Sequence, residues 1–349
     1  MSHPDPNNIH KIDPEGEVVL TLKNPNAPFA VWPTDESDPA RQLLGPSRVD
    51  NTKEVQFLLS SKHLALNSKY FYKLLNGPWK ETCGNEEGPL RLTAEDWDEE
   101  ALLIVMRVLH ASRVPREMNL ELLAKIALIV DYYECHDSFF FHVDAWLSQM
   151  MSQMNGRPPT ELGRAALLWL HVSWVFKNNS YYSEILNSIQ TQATGPIPSL
   201  GLPIPERDFD SIEELRIQHV GRKLSKVQGD MDLLIGDNGP CTFECSSIHL
   251  GSLIKDLSRH GLYPLPKAPY SGVSMNKIDV VLNGLLKPQW ATLRSPNNDM
   301  RGMGFRVVDC AYRDGYHPTT ANVRPAPSTE MQNEPQYGAY GTTGQLWWQ

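Results

Sequence analysis

The chain has 349 residues, 41% of them hydrophobic and 21% charged, which is more than one core usually fills and excludes wholesale disorder; two domains with tails are expected. A formal charge of −9 without any Lys/Arg block argues against direct nucleic-acid binding through phosphates, and no stretch reaches the roughly 20 apolar residues that cross a bilayer. Five scattered cysteines and a polar start without an apolar leader fit reduced thiols, so no membrane association and a cytoplasmic and/or nuclear location are expected.

Residues 1–15 are polar with Pro4, Pro6 and Pro14 and read as a disordered tail. Val18-Val19-Leu20-Thr21-Leu22 is an apolar, β-branched run between Gly16 and Asn24-Pro25-Asn26, and predicts a first strand. Residues 27–52, rich in Pro, Asp, Ser and Arg, read as a surface insertion. Val55 to Leu59 predicts a second strand, with Ser60 and Ser61 offering a cap to a short helix at Lys62-His63-Leu64. Ser68 precedes Phe71, Leu74 and Leu75 at helical spacing, and Gly77-Pro78 stops that run.

Leu90-Arg91-Leu92-Thr93 alternates as a strand, and Thr93 with Asp96 resembles a capping box for a helix from Asp98 to about His110. Asn119 caps the next helix, which carries Leu122, Leu123, Ile126, Ala127, Ile129, Val130 and Tyr133. A third helix is expected from Asp137 through Trp146 to Met151. Beyond Gly156-Arg157-Pro158-Pro159, Thr160 is placed to cap a helix with Leu167, Leu170 and Trp174, and further helices fall at 185–193 and 212–234. After His317 the chain is polar apart from Trp347-Trp348, and reads as a second tail.

Chemistry-bearing clusters are few. Cys241, Cys245 and His249 recur every four residues and would share one helix face, but structural zinc sites show two paired knuckles and only one pair is present, so no metal and no cofactor is expected. Cys135-His136-Asp137 has the residue types of a nucleophilic triad, yet adjacent helical residues diverge by about 100° each and do not align. Asp96, Asp98, Glu99 and Glu100 suit a solvated helix N-terminus. His63, His110 and His142 read as packing residues, and the signatures of phosphate loops, dinucleotide folds, zinc proteases and serine hydrolases are missing. Phe139-Phe140-Phe141, Trp146 and the stretch Trp169 to Phe176 suit an interdomain core, with a partner-facing surface as the alternative. No catalytic residues are assigned.

Phe57-x-Leu59-x4-Leu64-x3-Ser68-x-Tyr70-Phe71, followed by Leu90-Arg91-Leu92 and the helix pair Ala101 to Leu109 and Leu122 to Tyr133, resembles the BTB/POZ signature. Trp169-x4-Trp174, Leu202-Pro203-Ile204-Pro205, Leu262-Tyr263-Pro264-x-Pro266 and Pro288-x-Trp290 extend the resemblance to a group of filamentous-fungal BTB proteins without an established activity to carry over. Ser60-Ser61 in place of His-Lys, Glu17 in place of an Asp, and the 27–52 insertion depart from the family pattern. The resemblance implies an α+β BTB/POZ-like domain at 16–145, followed by an all-α helical domain at 146–312 and a tail at 313–349. It further implies a non-enzymatic protein-interaction module whose partners are proteins, itself as a homodimer among them. Contacts are expected through Val18, Leu20, Leu22, Phe57, Leu64, Ser68, Tyr70, Phe71 and Leu74. A substrate adaptor docking on a cullin scaffold, and a transcription or chromatin co-regulator, are the alternatives.

Overall fold

The computed structural model describes residues 9–33, 54–77, 88–236 and 242–285. Most of the 27–52 insertion, residues 286–312 of the expected helical domain, the 313–349 tail with its tryptophans, and Cys241 lie outside the described residues. The fold is mixed α/β, with a four-stranded sheet and, among the described residues, ten α-helices.

Strands β1 (Ile9–Lys11), β2 (Val18–Lys23), β3 (Val55–Leu59) and β4 (Leu90–Glu95) lie in the order β1-β3-β2-β4. β2 and β3 are antiparallel with Leu20 opposite Phe57, and β4 runs parallel to β2 with Leu92 opposite Leu20. Strand alternation puts Val18, Leu20, Leu22, Val55, Phe57 and Leu59 on one face, and all six are sealed from solvent. The expected tail at 1–15 needs correction over its second half: β1 pairs parallel with β3, and the His10 ring stacks on Phe57 with 5.1 Å between centroids. Three residues are too short to display alternation, so this strand is recruited by its neighbours rather than by its own pattern. Gly16 turns the chain from β1 into β2, where a Cβ would stand 2.5 Å from the Leu59 carbonyl oxygen.

Helices α1 (Ser61–Asn67) and α2 (Lys69–Asn76) follow β3. After β4 come α3 (Glu99–Leu109), α4 (Leu120–Tyr132), a 3-10 turn at His136–Phe139 and α5 (Phe140–Gln153). Asn119 caps α4 as its position predicts, accepting from the Leu122 N–H at 2.8 Å. The cap of α3 is Asp98, which accepts from the Ala101 N–H at 3.0 Å, and not the Thr93–Asp96 box; Asp96 turns the chain with φ 64°. The helical region continues with α6 (Arg164–Val175), α7 (Asn179–Gln192), α8 (Glu206–Ile235), α9 (Phe243–Arg259) and α10 (Met275–Asn283). Thr160 does not cap α6, whose N-cap is Gly163; the Thr160 carbonyl accepts instead from the Ser188 hydroxyl at 2.7 Å.

The buried core does not pause at the expected 145/146 boundary. One apolar cluster runs from Val18 through Leu123 and Trp146 to Trp169, Ile189 and Ile212, with α4 packed on α6 and α6 on α7. Arg164 of α6 ties the start of the insertion to this core, donating to the Ala30 and Phe29 carbonyls at 2.9 and 3.2 Å. Contacts divide the chain elsewhere, into a unit of 1–228 with 251–287 and a second of 229–250 with 288–349. The described part of the second consists of the last turns of α8 and the first turns of α9. Among the described residues no helix is long and apolar enough to cross a membrane.

Candidate protein interface

The two short helices after β3 are fixed by side chains that take up the polar groups left at their ends. Ser68 closes α1 and opens α2: its hydroxyl accepts from the Phe71 N–H at 3.0 Å and donates to the Tyr133 carbonyl at 2.6 Å. Asn67 donates to the Leu109 carbonyl at 2.8 Å, joining α1 to the end of α3. The start of α1 is unusual, because Ser60 makes no side-chain cap bond. Its N–H donates to Nε2 of buried His110 at 3.0 Å, while His110 Nδ1 donates to the Met106 carbonyl at 2.7 Å. Those two bonds define a neutral imidazole, and burial pushes the His110 pKa down. Glu17 completes the cap by accepting from the Ser61 N–H at 3.1 Å and from its hydroxyl, and the hydroxyl bond holds the Glu17 pKa below its ordinary value. Glu17 and Ser61 are therefore two ends of one interaction.

With Leu64 and Phe71 turned inward, the same helices present Leu66 and Tyr72 outward, Leu66 with 82% of its surface exposed. The end of α4 and the start of α5 meet them: the Lys69 N–H donates to the Glu134 carbonyl at 3.4 Å, and the Ser138 hydroxyl to the Asn67 side chain at 3.3 Å. Those segments add exposed Tyr132, Phe140 and Phe141, the last two rings perpendicular at 5.3 Å. Half-buried Tyr70 lies between the two sets, its ring 5.4 Å from Tyr132 and 5.3 Å from Tyr133. Burial raises the pKa of both Tyr70 and Tyr133, so the phenols stay neutral at physiological pH. Beside this face a cleft of about 350 Å³ opens between Ala65 of α1 and Leu74 and Leu75 of α2, with Val18 and Leu90 of the sheet and the Lys62 stem on its walls.

Of the nine residues expected to make contacts, Val18, Leu20, Leu22, Phe57, Leu64, Ser68 and Phe71 are buried within the chain, and Tyr70 and Leu74 are half-buried. Their inward placement follows from the periods that made them stand out, because apolar positions that recur regularly are those the core consumes. The outward residues Leu66, Tyr72, Phe140 and Phe141 carry no periodic signal; Leu66 and Tyr72 were detectable only as large apolar residues off the stripe. The aromatics expected to be core divide accordingly: Phe139, Trp146 and Trp169 are buried, and Phe140, Phe141 and Trp174 are exposed.

Of the other candidates, Cys135 is buried, its thiol donates to the Val130 carbonyl at 3.7 Å, and burial pushes its pKa up to about 12, while His136 pairs with Asp131 at 3.3 Å. Cys245 and His249 lie on α9, and no group of three His, Cys, Asp or Glu among the described residues is arranged to hold a metal. No family model matches the chain, and no curated protein does.

Proposed function

We propose that this chain is a non-enzymatic protein-interaction module, a BTB/POZ-like domain whose core continues into a helical region, and that it pairs with a second copy through the outer face of α1 and α2. The BTB-like reading is supported by the element order from β2 onward: two strands, two short helices, the strand β4 parallel to β2, and a helix pair. The observation that carries self-association is Leu66 and Tyr72 exposed on the same two helices whose Ala65, Leu74 and Leu75 line the cleft. Large apolar side chains gathered on adjoining elements supply the desolvated centre of an interface, and Lys62 and Lys69 supply its polar rim.

Light scattering on the full chain at tens of micromolar tests this. The full chain is the right object, because a cut at 145/146 would divide one core. A dimer is expected, and the double substitution Leu66→Asp, Tyr72→Ser should release monomers with unchanged far-UV circular dichroism. A wild-type chain that stays monomeric ends the proposal.

A further inference from the structure

Beyond the interaction face, the carboxyl ends of the parallel strands β2 and β4 open into a pocket of about 470 Å³. Four separate stretches wall it: the loop after β2, the turn Asp96-Trp97-Asp98 after β4, one face of α4 and the loop Leu200-Gly201-Leu202. The volume lies within the range of small-ligand pockets, and the carboxyl ends of parallel strands are where α/β sheets place ligands.

The backbone around it is held in unusual conformations. Asn24, Asn26, Ala30, Asp96 and Leu200 all have φ between 45° and 64°, five of the ten non-glycine residues with positive φ among those described. Asn and Asp tolerate that region; Ala and Leu gain nothing from it, and each such residue costs on the order of 1 kcal/mol. Their concentration around one cavity indicates a wall whose shape the rest of the fold enforces.

The polar groups specify what can enter. The N-terminus of α3 faces this region with two of its donors taken: Asp98 accepts from Ala101, and Asn26 from the Glu99 N–H at 3.1 Å. Glu99 and Glu100 fill the first turn with negative charge, which disfavours an anion there. Lys125 is equally committed, with Asp98 at 2.9 Å and Glu121 at 3.3 Å. What remains is acceptors. Asn24 Oδ1 is buried and no donor among the described residues reaches it, while the exposed Asp96 carboxylate meets only the other end of that amide. Asp96 and Asp98 against Lys125 leave the lining with one net negative charge. Trp97 stands on the same walls with Leu128 and Leu202, as does Phe29, whose ring already carries the Lys125 ammonium 5.9 Å from its centroid.

We infer that this pocket binds a guanidinium or ammonium group carried on an aliphatic stem, with Asp96 and Asn24 Oδ1 accepting from the cation and Trp97 flanking it. A carboxylate and an amide oxygen satisfy the donors of such a head, and aromatic rings favour a cation near their faces.

Ligand-observed NMR titrations of the full chain with three probes test the inference: Nα-acetyl-arginine amide, agmatine, and the neutral Nα-acetyl-citrulline amide. Saturable millimolar binding of an arginine-like cation is expected, at least about 5-fold weaker for the citrulline probe and for the Asp96→Asn variant. Asn tolerates the φ of 64° at position 96 and the side chain is exposed, so that variant keeps the fold. Binding of both cations supports recognition of the head group alone, of the capped arginine alone a peptide side chain, and of agmatine alone a free amine. Absence of saturable binding, equal binding of the citrulline probe, or indifference to Asp96→Asn overturns the inference.

Discussion

Ser68 and Arg216 are both buried polar side chains that join one segment to another, and they do so in opposite settings. Ser68 sits within an aliphatic and aromatic core, where Leu64, Phe71 and Tyr133 supply the burial and the hydroxyl only tidies two backbone ends. Arg216 on α8 has 0% of its surface exposed and is itself the join. Its guanidinium takes both oxygens of Glu213 at 2.6 and 2.7 Å and donates to the carbonyls of Pro269, Tyr270 and Val273 at 2.7, 2.9 and 3.0 Å. The segment after α9 forms neither helix nor strand before α10, so its carbonyls have no ladder to join and need a donor from elsewhere. A second charged link, Asp279 of α10 to His219 and Lys223 at 2.9 Å each, lies close by; burial works against that carboxylate, but its partners hold its pKa below normal. The region of β1 to α7 is held mainly by apolar area, with ion pairs such as Lys125–Asp98 at its margin, whereas the region around α8 and α10 adds to its buried apolar residues a planar cation that matches five oxygens.

That contrast is broken most directly at Arg216. Arg216→Met should cost about 3–5 kcal/mol, since it strands Glu213 and the Pro269 and Val273 carbonyls, and amide exchange should quicken across residues 263–274. Arg216→Lys should recover little of it, because a point charge does not reproduce the fork. A loss under about 1 kcal/mol in urea unfolding would show that apolar contacts hold this region as well.

The apolar half has its own weakness, which pH exposes. His171 of α6 is fully buried and burial pushes its pKa down to about 4, with His110 shifted the same way. Between that value and the ordinary 6.5 the unfolded chain binds a proton that the folded one does not, so stability rises with pH there. The contribution is complete above about 6.5 and lost as pH falls through about 4, on the order of 3 kcal/mol for His171. His171→Leu should flatten most of that slope in urea midpoints measured across the window. An unchanged slope would place the acid sensitivity elsewhere.

Gly16→Ala comes next. The added methyl would meet the backbone of Leu59 at 2.5 to 2.9 Å, and a backbone cannot swing aside as a side-chain tip can, so a loss of about 1–3 kcal/mol is expected in the same assay.

These positions also mark what the sequence discloses. The strands at Val18 and Val55, the Asn119 cap and the Ser68 junction were all legible, because each rests on local periodicity or on a cap a few residues from its donors. Arg216 was not: Glu213-Glu214-Leu215-Arg216 reads as a solvated helix face until α8 is seen against residues 269–273. Gly16 reads as a boundary, and only the proximity of Leu59 makes it obligatory. The pocket drew on Asn24, Asp96, Lys125 and Leu202, from four stretches without a shared motif, and Asp96 had been given a capping role that Asp98 performs. Glu17 and Ser61 each stood out alone, and their bond is visible only once β2 and α1 are adjacent.

The smallest expected effect separates a cap from a lookalike. Ser60 and Ser68 both precede a helix in extended conformation, so sequence alone gives them equal standing. Ser68→Ala removes an acceptor from Phe71 and a donor from Tyr133, and should cost about 1–2 kcal/mol. Ser60→Ala should change stability by less than about 0.5 kcal/mol, because its side chain makes no cap bond while His110 and Glu17 serve the ends it would have served. Thermal or urea unfolding of the two variants side by side distinguishes these cases. Equal losses would mean that burial of a hydroxyl, and not its hydrogen bonds, sets the cost, and the apolar half would then resemble the region around Arg216 less than its geometry indicates.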